Sequence, residues 1–178
     1  MYIYNNKHIK IINQKILNTD CCYYKNIFEH KELASFFLNI SIPLDSQNLI
    51  GLYIHLEIPH LQLNKDDHIY ENYKYAIAKN IKKHFSFHHL NIIRLNRNDF
   101  FIVIFNVLEK DIIHCVQSFI KNTQAINIPY FKQIYHFQIN CGIYLTQSVI
   151  SAHDFFTFTK QQYHHTIKHQ TSISIYSI

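Results

Sequence analysis

Two strongly apolar runs, residues 90–95 (LNIIRL) and 99–107 (DFFIVIFNV), are separated only by Asn96-Arg97-Asn98. Three polar residues rich in Asn form a tight turn, whereas a crossover between parallel strands needs about a dozen residues or more. The two runs must therefore pair as an antiparallel hairpin in the middle of the chain. This rules out a doubly wound parallel sheet and points to an α+β sandwich: a mostly antiparallel central sheet of about five strands, flanked by helices.

The flanking pattern agrees with that frame. Residues 6–18 place Ile9, Ile12 and Ile16 on one helical stripe, and residues 27–39 do the same with Ile27, Leu33, Phe37 and Leu38, before Ile42-Pro43-Leu44-Asp45 breaks the periodicity. Residues 49–58 (LIGLYIHLEI) are nearly continuously apolar, as a central strand requires. After the polar turn Asn64-Lys65-Asp66-Asp67, the spacing of Tyr70, Tyr73, Ile77 and Ile81 predicts a helix over 69–84. A helix over 109–122, a strand over about 132–145, a helix over 151–168 and an edge strand from Ser172 to Tyr176 complete the order. With 178 residues, 48% hydrophobic and 16% charged, the expectation is one folded domain over 20–178 behind a helical linker over 1–19.

Several function classes drop out on composition. The chain has two glycines, Gly51 and Gly142, far apart. Loops that cradle phosphates need clustered glycines so that backbone amides can approach the anion, so neither a Walker loop nor a dinucleotide fingerprint can be written. Adjacent Cys21 and Cys22, with Cys115 and Cys141 in apolar runs, read as reduced thiols. The first fifteen residues do not read as a secretory signal, and the expected location is cytoplasmic. No run of about 18 uncharged apolar residues is present to cross a membrane. The net charge is +5, but the lysines are scattered and only Lys82-Lys83 are adjacent, so a basic nucleic-acid-binding domain ranks third among the readings. Among fourteen histidines, His165 and His169 share a helix face without a neighbouring carboxylate, which reads as a surface cluster, and His88-His89 offer no clearer partner. Neither a Gly-x-Ser-x-Gly elbow nor a usable Cys115–His114 pair supports nucleophilic catalysis.

The hairpin carries a resemblance. Arg94-Leu95-Asn96-Arg97-Asn98-Asp99-Phe100, followed by Phe101-Ile102-Val103-Ile104, resembles the Arg-Leu-Gly-Gly-Asp-Glu-Phe signature of GGDEF domains, the diguanylate cyclases, with the strand after it. Asn64 falls near the family's Ile-Asn-Asp, Ile139-Asn140-Cys141-Gly142-Ile143-Tyr144 is similar to its Ser-x-Gly-Ile strand, and Tyr163 fits the tyrosine of its last helix. The resemblance covers about 20–178 and implies the palm-like sandwich of the nucleotidyl cyclases.

The departures fall on the chemistry. Diguanylate cyclases join two GTP molecules with help from carboxylate-held divalent metal, which the signature's acidic residues and glycines make possible. Here the signature has become Asn96, Arg97, Asn98, Asp99 and Phe100, which keeps one carboxylate and no glycine. Counting back from Asn64 puts Leu56 at the metal-binding aspartate; a one-residue insertion would put His55 there, and a slip of register would let Glu57 reach a cation. The guanine-reading Gly-Asp pair matches Asn72-Tyr73, and the lysine after Tyr163 matches Thr166, with Lys168 half a turn on. The feedback motif Arg-x-x-Asp would fall at Phe87 and Leu90.

The resemblance thus implies a degenerate, catalytically inactive domain with no catalytic residues, no metal site and no cofactor. It would act as a regulatory or interaction module in bacterial cyclic-di-GMP signalling, within a larger protein. Expected partners are a protein or fused signalling domain such as an EAL phosphodiesterase, and a second copy in a homodimer; neither nucleic acid nor membrane insertion is expected of this chain. The alternative is an allosteric sensor that binds GTP without turnover, with Asn64 and Asp99 as the surviving contacts.

Overall fold

The computed structural model describes residues 41–42, 48–59, parts of 77–85, 90–95, 98–130, 132–148 and 150–178. The expected linker over 1–19, the helices over 6–18 and 27–39, and Cys21, Cys22, Asn64, Asn72, Tyr73, Phe87, Asn96 and Arg97 lie outside the described residues.

The central sheet is built on β2 (Leu49–Glu57), whose nine residues are buried on both faces apart from its last turn of sequence. Nearly continuous apolar character lets it accept neighbours on both edges and layers on both faces. β3 (Leu90–Arg94) and β4 (Asp99–Phe105) form the expected hairpin. β4 pairs antiparallel with β2, β2 pairs antiparallel with β7 (Gln138–Thr146), and β9 (Ile173–Ser177) lies parallel to β7 on the outer edge. The strand order is β3-β4-β2-β7-β9, a five-stranded mixed sheet with three antiparallel pairings and one parallel. β9 is parallel because α2 (Ala152–His169) carries the chain back along the sheet before it.

Alternation along β2 divides the core. Ile50, Leu52, Ile54 and Leu56 point to one layer, where they meet α1 (Glu109–Gln124) through Ile112, Val116, Phe119 and Ile120. The helical residues among 77–84 supply Ile77 and Ile81 to this layer, and Phe85 meets Phe119 with ring centroids 5.5 Å apart. In α1, Glu109 and Asp111 in the first turn and Lys121 in the last complement the helix dipole. On the opposite layer Leu49, Tyr53, Phe101, Val103 and Tyr144 meet Phe155 and Tyr163 of α2.

The layer under α2 explains the two glycines. Gly51 faces Tyr144 across the β2–β7 pair, and Gly142 faces Tyr53, so large and small residues alternate beneath the helix. A Cβ on Gly142 would run into α2 backbone, with the Thr159 carbonyl oxygen at 2.7 Å and the Gln162 carbonyl carbon at 2.8 Å. A Cβ on Gly51 would meet side chains, Thr159 Oγ1 and, at 2.8 Å, Phe155 Cζ. Neither glycine has a positive φ, so space and not backbone torsion requires them. The buried hydroxyls of Thr159 and Thr166 donate to carbonyls of their own helix, Phe155 and Tyr163, each at 2.7 Å, which satisfies them on a face pressed against the sheet.

One expectation needs correction. The single strand predicted over 132–145 is two strands: β6 (Gln133–Tyr135) folds back on β5 (Ile128–Tyr130) as a small hairpin, and β7 begins only at Gln138. Lys132 turns that hairpin with φ 67°, Ile134 stands exposed, and Phe137 dives into the core between the strands. The apolar pattern runs through the break because Tyr135 and Phe137 both pack on the core although only β7 belongs to the main sheet. A two-residue pairing of β1 (Ser41–Ile42) with β8 (Ile150–Ser151) precedes α2. Cys115 is half-buried and Cys141 buried, and both are free thiols. None of the described helices is long and apolar enough to cross a membrane.

Candidate functional site

The C-terminal end of β2 lies between the start of β4 and the start of β7, with His55 opposite Asp99 on one side and Asn140 on the other. The hairpin is closed by main-chain bonds, Leu95 N–H to Asp99 O at 2.8 Å, and it is fastened to β2 by Leu56 N–H to Asn98 O at 2.9 Å. Asp99 therefore arrives at a fixed height, and its carboxylate Oδ1 accepts a 2.6 Å hydrogen bond from His55 Nδ1. The other ring nitrogen, Nε2, is 3.7 Å from Glu57 Oε2, two residues along the same face of β2.

Burial makes this cluster electrostatically strong. The side chains of His55 and Asp99 are 21% and 14% exposed, while Glu57 at 46% reaches into solvent. The hydrogen bond to Asp99 holds the His55 imidazolium above its ordinary pKa, against the opposing effect of burial, and the charges of Asp99 and Glu57 add to it. Tyr163 of α2 stacks on Tyr53 with centroids 4.9 Å apart and an interplanar angle of 24°, and its ring lies 5.4 Å from that of His55. Burial first, and the Asp99 carboxylate next, push both phenols upward, so both tyrosines are neutral hydroxyls at any physiological pH.

A groove of about 720 Å³ opens beside this cluster, a size suited to a small molecule. Its floor is the ends of β2 and β7, with His55, Glu57, Gln138 and Asn140, and its wall is the last turns of α2, with Tyr163, and the turn after it, with Gln170. Asn140 donates to Thr171 O at 3.1 Å, which ties the turn after α2 to β7. None of the described residues lining the groove is Lys or Arg.

The sequence-derived positions separate clearly on this frame. Asp99 is in the cluster, Asn98 contributes its main-chain carbonyl to β2, and Phe100 is buried in the α1 layer. Leu56 is 1% exposed in that same layer, so the side chain of β2 that faces the hairpin carboxylate is His55. Thr166, aligned by sequence with a lysine, is fully buried and turned back onto Tyr163 O; Lys168 is exposed and does not line the groove. What sequence reasoning did not find is the His55–Asp99 bond and the Tyr53–Tyr163 stack. The first depends on a register 44 residues apart in the chain, and the second on the height of α2.

A divalent cation between strand and hairpin requires oxygen ligands converging on one open point. Here the His55 ring fills the space between Asp99 and Glu57, and no group of three or more His, Cys, Asp or Glu side chains among the described residues is arranged to hold a metal. The donor set does not fit such an ion.

No family sequence model and no curated protein matches the chain in sequence. In three dimensions it is similar to the GGDEF domain of FimX from Pseudomonas aeruginosa, with a TM-score of 0.62, 11% identity, and 82% of this chain and 90% of that one covered. It is also similar to the active GGEEF domain of a diguanylate cyclase from Vibrio cholerae, with a TM-score of 0.60, 16% identity, and coverage of 87% and 94%. The diguanylate cyclase SiaD of Pseudomonas aeruginosa, solved with its activator SiaC, matches with a TM-score of 0.59 and 7% identity over 97% of this chain and 75% of that one. The hairpin beside the central strand, the mixed five-stranded sheet and the helical layers on both faces are thus those of a GGDEF domain, and the chain has the GGDEF-domain fold.

Proposed function

We propose that this chain is a catalytically inactive GGDEF-like domain that serves cyclic-di-GMP signalling as a regulatory, protein-binding module. The observation that carries the reading is the engagement of Asp99. The one carboxylate left in the hairpin signature is bonded at 2.6 Å to His55, a residue of the neighbouring strand, and so is committed to holding the fold. A cyclase needs its hairpin carboxylate free for metal and its groove supplied with cations for phosphate. The described lining of the groove supplies amides, histidines and one carboxylate instead.

A protein partner has support from neighbours of the same fold: SiaD was solved with an activator protein, and DgcB from Caulobacter crescentus was solved with its coiled coil. The segment 1–19, a second copy of the chain or a fused phosphodiesterase domain would receive or deliver the signal, in the cytoplasm. In a second reading GTP binds without turnover at this end of the sheet, with Asn64 and Asp99 as its contacts.

Calorimetric titration with GTP and with cyclic di-GMP in the presence of Mg²⁺, with product analysis of the same samples, tests the proposal. The expected result is no cyclic di-GMP. Binding of GTP without product selects the sensor reading, and formation of cyclic di-GMP overturns the proposal.

A further inference from the structure

We infer that the imidazolium of His55 is the built-in cation of this site, standing between Asp99 and Glu57 so that the chain holds both carboxylates without a metal ion. Each ring nitrogen faces a different carboxylate, Nδ1 toward Asp99 at 2.6 Å and Nε2 toward Glu57 at 3.7 Å. A neutral imidazole carries one N–H and would turn a lone pair toward one of the two, whereas the imidazolium carries an N–H on each side. The two carboxylates around it favour the imidazolium, against the opposing effect of burial. From β2 come Glu57 and Tyr53, from β4 Asp99, and from α2 Tyr163, whose phenol is neutral; His136 lines the same groove.

The geometry has a chemical consequence. Two carboxylates brought against one ring, one of them largely buried, repel each other unless a cation lies between them. In this chain the cation is part of β2, is present as soon as the sheet forms, and cannot be exchanged or chelated away. The ring also fills the volume in which a hydrated divalent ion would have to sit, and Mg²⁺ and Mn²⁺ give up their water reluctantly. The site is therefore closed to divalent metal by occupancy as well as by charge. This deepens the proposed function, on which it rests only in taking this end of the sheet as the functional end.

The test compares the full chain with His55→Asp, which replaces the internal cation by a third carboxylate. Mn²⁺ binding is followed by electron paramagnetic resonance and by the dependence of Tm on Mn²⁺, and the protonation of His55 in the wild type is followed by ¹⁵N NMR of the ring. The expected results are a ring with two N–H groups at pH 7, a wild-type Tm that ignores Mn²⁺, and a variant whose Mn²⁺ affinity rises by at least about tenfold, with a Tm that climbs with the ion. Should His55→Asp fail to fold, His55→Ala removes the cation without adding charge and carries the same comparison. A neutral His55 at pH 7, or a wild type that binds Mn²⁺ as tightly as the variant, overturns the inference. The regulatory reading fails through a different readout, the appearance of cyclic di-GMP.

Discussion

Replacing Gly142 by alanine forces α2 away from the sheet. The new methyl would lie 2.7 Å from the Thr159 carbonyl oxygen and 2.8 Å from the Gln162 carbonyl carbon, and closer still to Tyr163 N. All three are helix backbone, which cannot rotate aside as a side chain can. Overpacking costs about 1–3 kcal/mol in general, and a clash with backbone belongs at the upper end, about 3 kcal/mol. The stiffer unfolded chain returns only about 0.4–1 kcal/mol. A net loss of about 2–3 kcal/mol lowers Tm by roughly 4–12 °C in a domain of this size. Gly51→Ala is the control, because its methyl meets the Thr159 hydroxyl and the Phe155 ring. Removing that hydroxyl in Gly51→Ala/Thr159→Ala relieves the nearer of the two contacts, and the Thr159 hydroxyl donates within its own helix to Phe155 O. Urea unfolding of the single and double variants should give a favourable coupling of about 1 kcal/mol for Gly51 with Thr159 and none for Gly142 with Thr159. A Gly142→Ala chain within about 0.5 kcal/mol of wild type would refute the reasoning from helix contact.

Two further perturbations probe other parts of the fold. Because the folded pKa of His55 is raised, its stabilising contribution is complete below its unfolded value of about 6.5 and is lost as pH rises through the folded value. Unfolding free energy measured between pH 6 and 9 should therefore fall with rising pH, and Asp99→Asn should flatten that slope and lower the His55 pKa seen by NMR; an unchanged titration would rule out the pairing. Phe119→Ala empties a fully buried site against Phe85 and should cost about 3–5 kcal/mol in urea unfolding, and a cost under about 1 kcal/mol would contradict the packing of residues 77–85 on α1.

The sequence carried the fold further than it carried the site. The hairpin was legible because three turn residues between two apolar runs leave one geometry, β2 because its apolar run is nearly continuous, and α1 and α2 because their buried residues keep a helical period. The β6–β7 break was not, because Phe137 packs into the core from a non-strand position and so preserves the apolar pattern across the gap. At the site, Asp99 could be picked out as the surviving carboxylate, but its partner depends on which residue of β2 lies opposite. A slip of one residue in that register exchanges His55 for Leu56, and with it a charge cluster for a core side chain. Counting from Asn64 put Leu56 at the family's metal position, with His55 there after a one-residue insertion; the strand pairing sets His55 opposite Asp99.

The two halves of the structure meet in Tyr163. Its backbone N–H side lies against Gly142, which sets how deeply α2 sits, and its ring lies on Tyr53 and beside His55, which sets the polarity around the charge cluster. A helix lifted by Gly142→Ala carries that ring away from His55 and admits water to the cluster. Water weakens the hydrogen bond and the carboxylate attraction that raise the His55 pKa, and it also relieves the burial that lowers it. The bond to Asp99 is the largest of these influences, so the net shift in Gly142→Ala is downward, toward the solvent value. Phe119→Ala loosens the opposite layer, which contains no part of the cluster, and should leave the His55 titration where it was. NMR titration of the His55 ring in both variants separates transmission through α2 from general loss of stability: equal shifts in the two would show that the cluster responds to loosening anywhere in the fold.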